Sequence, residues 1–310
     1  MLGPIGKSVK GALTKAGYEV TRATGLERTG LRSFWEDWYS KDPALFGKLY
    51  AANRATLRDV GEWIKEADLA GSLWRYGVPE EWNTRRQGLG RTGLNEMEAE
   101  PTYTDLIAFI ASQIPDLNYL EIGVSVGKNW LQIIENFPDA AIFGLDVEKP
   151  NPTVAKRFQD SKVVHTAGKF DVETLSGTPA AVQLEHIEFT RAGLPVTYVR
   201  GDQFAPETWA SLRGKQFNFI FSDGVHSARA IEGEMDHLLS NELLADGPFV
   251  MYWDDLVNTA MQSAFERNVA LLTKRYGPDS WSGLYQIHGT YGAKRMNGIF
   301  CSFTSPSYCV

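Results

Sequence analysis

The stretch from Asn118 to Asp146 constrains this chain more than any other. Tyr119-Leu120-Glu121-Ile122 runs into a turn, Gly123-Val124-Ser125-Val126-Gly127; a helical segment follows, and then Ala141-Ile142-Phe143-Gly144-Leu145-Asp146. Strand, Gly-containing turn, helix and second strand make a βαβ unit. Such a unit brings Glu121 and Asp146 to the carboxyl edge of a parallel sheet, beside the open backbone amides of a helix start. That edge suits a nucleoside-bearing cofactor; an ordinary βαβ turn with surface acids is the plainer alternative.

Two phosphate-binding loops are excluded by spacing. A dinucleotide fingerprint needs Gly at first, third and sixth positions, whereas counting from Gly123 gives Gly, Ser125 and Lys128. A Walker loop needs one more residue before Gly-Lys and then Ser or Thr, and Gly127-Lys128 is followed by Asn129. What remains is an acid-x-Gly-x-x-x-Gly turn.

Strands and helices alternate along the rest of the chain, which predicts a doubly wound α/β sheet. A helix over 104–114 leads into the first strand. Beyond Asp146 the Pro150-Asn151-Pro152 run starts a short helical piece, followed by an inserted loop to about Gly177. Thr178-Pro179 then reads as the start of a helix through Val182, Leu184, Ile187 and Phe189 to Gly193. Val196 to Val199, Phe217 to Phe221 and Pro248 to Trp253 are strands, separated by helices near 207–212 and 228–244. After a helix over 258–276, the segments 284–287 and 298–303 close the sheet as an antiparallel pair.

Each strand of the central series ends in an acid: Glu121, Asp146, Asp202, Asp223, then Asp254 and Asp255. In an open α/β sheet these ends share one crevice, so five successive acidic endings predict a shared site rather than five independent turns. Asp223, Asp254 and Asp255 form one group. Three carboxylates brought together repel unless a cation or protons intervene, and all-oxygen ligands favour a hard ion such as Mg²⁺.

The N-terminal third is different. Residues 1–32 carry six Lys or Arg against two acids, which fits a basic arm or a frayed, partner-packed terminus. From Ser33 to Leu69 the pattern is helical and aromatic, and five of the nine Trp precede residue 83. That region is expected to pack on the main domain or on another subunit, which makes it the place for a homo-oligomer contact. Gly71 to Pro101 mixes Trp74, Tyr76, Trp82, Arg85 and Arg86 with Gly, as a lid or as a packed surface loop. The expected division is an N-terminal helical region and lid over 1–100 and a cofactor domain over 101–310.

A net charge of −7 argues against a general nucleic-acid binder, and no apolar run reaches membrane-spanning length. Cys301 and Cys309 have no framework spacing, so both read as reduced thiols of a cytoplasmic protein. His165, His186, His237 and His288 show no metal-ligand spacing. No Cys pair for zinc and no Gly-x-Ser-x-Gly elbow is present.

On Glu121, Gly123 and Gly127 the chain resembles the class I S-adenosylmethionine (SAM)-dependent methyltransferases, whose first motif is acid-x-Gly-x-Gly-x-Gly; Ser125 departs at the middle position. The resemblance implies a Rossmann-like, mostly parallel seven-stranded sheet with an N-terminal helical extension. It makes Glu121, Gly123, Ser125 and Gly127 cofactor-turn residues, gives Asp146 the ribose hydroxyls and puts Asp202 near the adenine. Phe221-Ser222-Asp223-Gly224-Val225-His226 and Met251-Tyr252-Trp253-Asp254-Asp255 resemble the divalent-metal-dependent O-methyltransferases of the catechol and macrolide-sugar types. That resemblance covers roughly 104–303 and implies Asp223, Asp254 and Asp255 as ligands of Mg²⁺. His226 is then either the base that takes the acceptor proton or an exposed helix-start histidine. The implied reaction is methyl transfer from SAM to a hydroxyl of a sugar, phenol or natural product. The rivals are a metal-independent N- or O-methyltransferase and a SAM-fold scaffold that does not catalyse.

Overall fold

The computed structural model describes residues 42–66, 102–125, 127–158, 160–173, 179–191, 194–288 and 294–303. The proposed basic arm and lid, and Cys309, lie outside the described residues. In chain order the elements are α1 (Pro43–Glu66), α2 (Tyr103–Ala111), β1 (Asn118–Ile122), α3 (Lys128–Asn136), β2 (Ala141–Asp146), α4 (Pro152–Arg157), β3 (Asp160–Glu173), β4 (Pro179–Arg191) and β5 (Leu194–Arg200). There follow α5 (Pro206–Ala210), β6 (Phe219–Ser222), α6 (Ala228–Ser240), β7 (Val250–Trp253), α7 (Thr259–Tyr276), β8 (Trp281–His288) and β9 (Lys294–Cys301).

The strands form one nine-stranded sheet in the order β3-β4-β5-β2-β1-β6-β7-β9-β8. Its centre, β5 to β7, is parallel throughout, and both margins are antiparallel. The sheet is buried on two sides because successive side chains point to opposite faces. Tyr119, Phe219, Phe221 and Tyr252 join a core with Phe46 and Leu49 of α1, Leu106 and Phe109 of α2, Trp130 of α3 and Val154 of α4. Leu120, Ile220 and Met251 face the other core, with Trp209 of α5, Met235 and Leu238 of α6 and Phe265 of α7. Helices therefore cover both faces, as the alternation of elements predicted.

Two expectations are corrected. The described residues form nine strands, not seven, because 160–173 and 179–191 are an antiparallel strand pair where a loop and a helix from Thr178 to Gly193 were expected. The apolar residues explain the misreading: Leu184 and Ile187 stand three apart and Val182 and Phe189 seven apart, the spacing of one helical face. In β4 they lie on two faces, Val182 and Leu184 in one core and Phe189 in the other. A strand that changes its buried face halfway carries a false helical period.

Helix α1 packs on α2 and α3 through buried polar groups. Asp105 accepts hydrogen bonds from the Asn53 amide (2.8 Å) and from its own helix entry at Thr102 N–H (2.7 Å), and pairs with the Arg54 guanidinium. Arg54 lies over the Tyr50 ring at 4.1 Å. Burial raises Asp105, and the charge of Arg54 opposes the rise. Among the described residues, no helix is long and apolar enough to cross a membrane.

Candidate functional site

Helices that follow β1 and β2 cover one face, and those that follow β5, β6 and β7 cover the other, so the crossover direction reverses between β1 and β6. Crevices at such reversal points, at the carboxyl ends of the strands, are where open α/β sheets bind ligands. The register sets Ile122 of β1 beside Ser222 of β6, which brings the Gly123 turn against Asp223.

Among the described residues of that turn, Gly123 (90°), Ser125 (52°) and Gly127 (78°) have positive φ. A side chain on Gly123 would overlap the backbone carbonyl of Asp223 and crowd the Gly224 nitrogen, so its immediate reason is the close approach of two strand ends. At Gly127 an added Cβ would lie 2.5 Å from Val154 Cγ2. Asp146 braces the turn from β2: its Oδ2 accepts the Ser125 N–H (2.8 Å) and its Oδ1 the Glu148 N–H (2.9 Å). Burial raises Asp146, and these backbone bonds hold the rise down.

Glu121 does not face the open rim. It is buried, accepting the Tyr119 hydroxyl (2.9 Å) and the Asn129 amide of α3, and burial pushes it up to about 8. A group raised in the folded state from an ordinary 4.5 stabilises the fold fully below 4.5, and that contribution is lost as pH rises through 8. Glu121→Gln is expected to flatten this slope, as read by urea unfolding at pH 5 and pH 8.5; parallel slopes in variant and wild type would refute it. Asp202 is turned back on its own chain, with Oδ1 accepting Phe204 N–H (2.9 Å) at the entry to α5.

The acids of the second group lie near enough to feel one another's charge. Asp223 is raised well above the usual carboxylate range, by burial and then by the negative charge of Asp254. Asp254 is raised to about 6 by burial and by Asp255. Its Oδ1 accepts the Asp255 N–H (2.8 Å) and the Asn297 amide (2.6 Å), and Asn297 in turn accepts the Tyr252 hydroxyl (2.6 Å). Asp255 has φ 51° and turns Oδ1 toward Arg295 Nε at 3.5 Å. His226 places Nε2 3.5 Å from Asp223 Oδ1; its side chain is 37% exposed. Burial lowers the imidazole, with Asp255 opposing, so the ring is available in its neutral form at pH 7.

For a hard cation the oxygens of Asp223, Asp254 and Asp255 would have to converge on one point. Among the described residues, no three His, Cys, Asp or Glu side chains stand close enough together to hold a metal ion. Positive charge reaches these acids from the protein instead: Lys128, the first residue of α3, draws Asp223, Asp254 and Glu121 toward their charged forms. As placed, the three carboxylates do not form a cation cage.

Four contributors have no local sequence signal: Gln203, Ser222, Glu234 and Asn297. Burial pushes Glu234 up to about 7, against the Ser222 hydroxyl bonded to it at 2.6 Å. Lys128 did carry a signal, since a cation in the first turn of a helix opposes the macrodipole and calls for a carboxylate partner.

No family model matches the chain, and no curated protein matches it. Solved structures to which the chain is similar include an O-methyltransferase from Bacillus cereus in complex with SAH, 15% identical over 80% of this chain and 90% of that one, with a TM-score of 0.44. The O-methyltransferase TomG from Streptomyces achromogenes, in complex with SAM, is 14% identical over 97% and 98%, with a TM-score of 0.41. Spermidine synthase from Thermotoga maritima is 12% identical over 68% and 63%, with a TM-score of 0.40. Likenesses this distant do not say which chemistry the chain performs. The architecture itself is plain: a doubly wound, centrally parallel α/β sheet with antiparallel margins.

Proposed function

We propose that the chain is a SAM-dependent methyltransferase acting on a hydroxyl of a small molecule. The observation that carries the reading is the division of one crevice between a braced Gly turn with Asp146 on one side and a His-acid group on the other. SAM supplies an electrophilic methyl group on a cationic sulfonium. The chain's residues fit it at Asp146, whose carboxyl stands at the end of β2 against the Gly turn, held there by the Ser125 and Glu148 N–H groups, where an acid can accept from ribose hydroxyls.

On the acceptor side, a neutral hydroxyl is a poor nucleophile. His226, neutral near pH 7, takes its proton at Nε2; the charge of Asp255 favours the imidazolium that forms, and the Asp223 carboxyl, 3.5 Å from the ring, becomes its partner when ionised. The transfer then needs alignment of oxygen, methyl carbon and sulfur more than any covalent enzyme step. A magnesium-assisted form with Asp223, Asp254 and Asp255 as ligands is favoured only by the crowding of their charges at one rim. It requires Asp255 to leave Arg295 and join the other two, and full activity in excess chelator would sink it.

The test is calorimetry with SAM and SAH together with a methyl-transfer assay on sugar, phenol and polyketide hydroxyls. Asp146→Ala should weaken SAM binding by about 1 to 3 kcal/mol, the cost of lost buried hydrogen bonds. Unchanged SAM affinity in that variant would remove Asp146 from the site, and no heat of SAM binding to the wild type would overturn the reading.

A further inference from the structure

We propose that Gln203 is a positioning residue for the acceptor half of the site, holding the loop of Asp223 and His226 in place from the end of β5. The inference rests on the methyl-transfer reading above. Strands β5 and β6 are not neighbours; β2 and β1 lie between them. Gln203 nevertheless joins their ends, because its Oε1 accepts the Val225 N–H (3.0 Å) midway between Asp223 and His226. Its Nε2 donates to Glu234 Oε1 on α6 (3.1 Å), and its backbone carbonyl accepts the Trp209 indole N–H (2.8 Å) from α5. Glu234 is buried and takes the Ser222 hydroxyl on its other oxygen, so the same carboxyl anchors the last residue of β6.

The chemistry of this position is narrow. Val225 needs an acceptor and Glu234 needs a donor, from one side chain at one distance. Glutamine supplies both, glutamate lacks the donor, asparagine is too short and methionine has neither. Gly224 completes the clamp, since a side chain there would overlap Gln203 Oε1. The same stretch of backbone, Asp223–Gly224, is the one the Gly123 turn abuts, so the clamp fixes the distance between the cofactor turn and the His-acid group.

The experiment uses the full chain with Gln203→Met, which keeps the volume and removes both bonds, and Gln203→Glu, which keeps the acceptor for Val225. Three readouts are taken: steady-state methyl transfer, calorimetric titration with SAM, and the NMR titration of the His226 imidazole, assigned by its absence in His226→Gln. For Gln203→Met, kcat is expected to fall roughly 10- to 100-fold with the SAM Kd within about threefold, the signature of misalignment without lost binding. The His226 titration midpoint is expected to move, because a displaced loop changes the distances from its ring to Asp255, Lys128 and Arg295. Gln203→Glu should recover part of kcat, and it carries the test if the Met variant does not fold. Superimposable His226 titrations and unchanged kcat in the variants would overturn the proposal. If the wild type methylates no hydroxyl offered, the methyl-transfer reading fails separately, and the His226 titration alone decides whether Gln203 positions the loop.

Discussion

Gly123→Ala is expected to destabilise the fold by about 3 to 5 kcal/mol and to weaken SAM binding at least roughly 100-fold. Two costs combine. A φ of 90° is one an L-residue adopts only with strain, about 1 to 2 kcal/mol for the backbone alone. The added methyl also meets the Asp223 carbonyl and Gly224 nitrogen, backbone atoms just past the β1–β6 ladder, which the Asp223 N–H ties to the Ile122 carbonyl and which have no rotamer in which to retreat. Gly127→Ala is the internal comparison: its φ of 78° carries similar strain, but the methyl meets one side-chain methyl, Val154 Cγ2, rather than backbone atoms of a strand end. The loss there should be smaller, about 1 to 2 kcal/mol. Urea unfolding followed by Trp fluorescence and calorimetry with SAM would measure both. Equal losses at Gly123 and Gly127 would show that backbone strain alone sets the cost and that the approach of Asp223 contributes nothing.

That contrast shows what the sequence made legible. The Gly pattern of the turn was readable, and so were the five parallel strands, because short apolar runs punctuated by Gly and acids have few other readings. The reason for Gly123 was not readable: its crowding partner is 100 residues away and becomes a neighbour only through strand order. The antiparallel pair of β3 and β4 was misread because Val182, Leu184, Ile187 and Phe189 change buried face within one strand. Acids at strand ends were found by position, but position does not give direction. Glu121 turns inward to Asn129, and Asp202 turns back to Phe204 N–H, while Asp223 lies within reach of the charge of Asp254. Gln203, Glu234 and Asn297 are polar groups whose partners come from other elements, and such pairings leave no periodicity to read.

Asp223→Asn separates function from stability. Methyl transfer is expected to fall roughly 10²- to 10⁴-fold, because the amide, unlike the carboxyl, cannot become the negative partner of the imidazolium that forms on His226. SAM affinity should change by less than about threefold, since Asp146 and the Gly turn are untouched. Stability at neutral and higher pH should rise by about 1 to 3 kcal/mol. The sign follows from the folded state: burial and Asp254 hold Asp223 well above its ordinary range, so its neutral form stabilises the fold at low pH. That contribution is lost as pH rises through the raised value, and asparagine, which stays neutral, does not lose it. The gain over wild type should therefore be absent near pH 4 and grow with pH, which paired unfolding curves would show. Wild-type turnover in the variant would remove Asp223 from the reaction. A variant less stable than wild type at pH 8 would mean that the Asp223 charge is compensated in the folded chain, by Lys128 or a bound cation, more strongly than Asp254 opposes it.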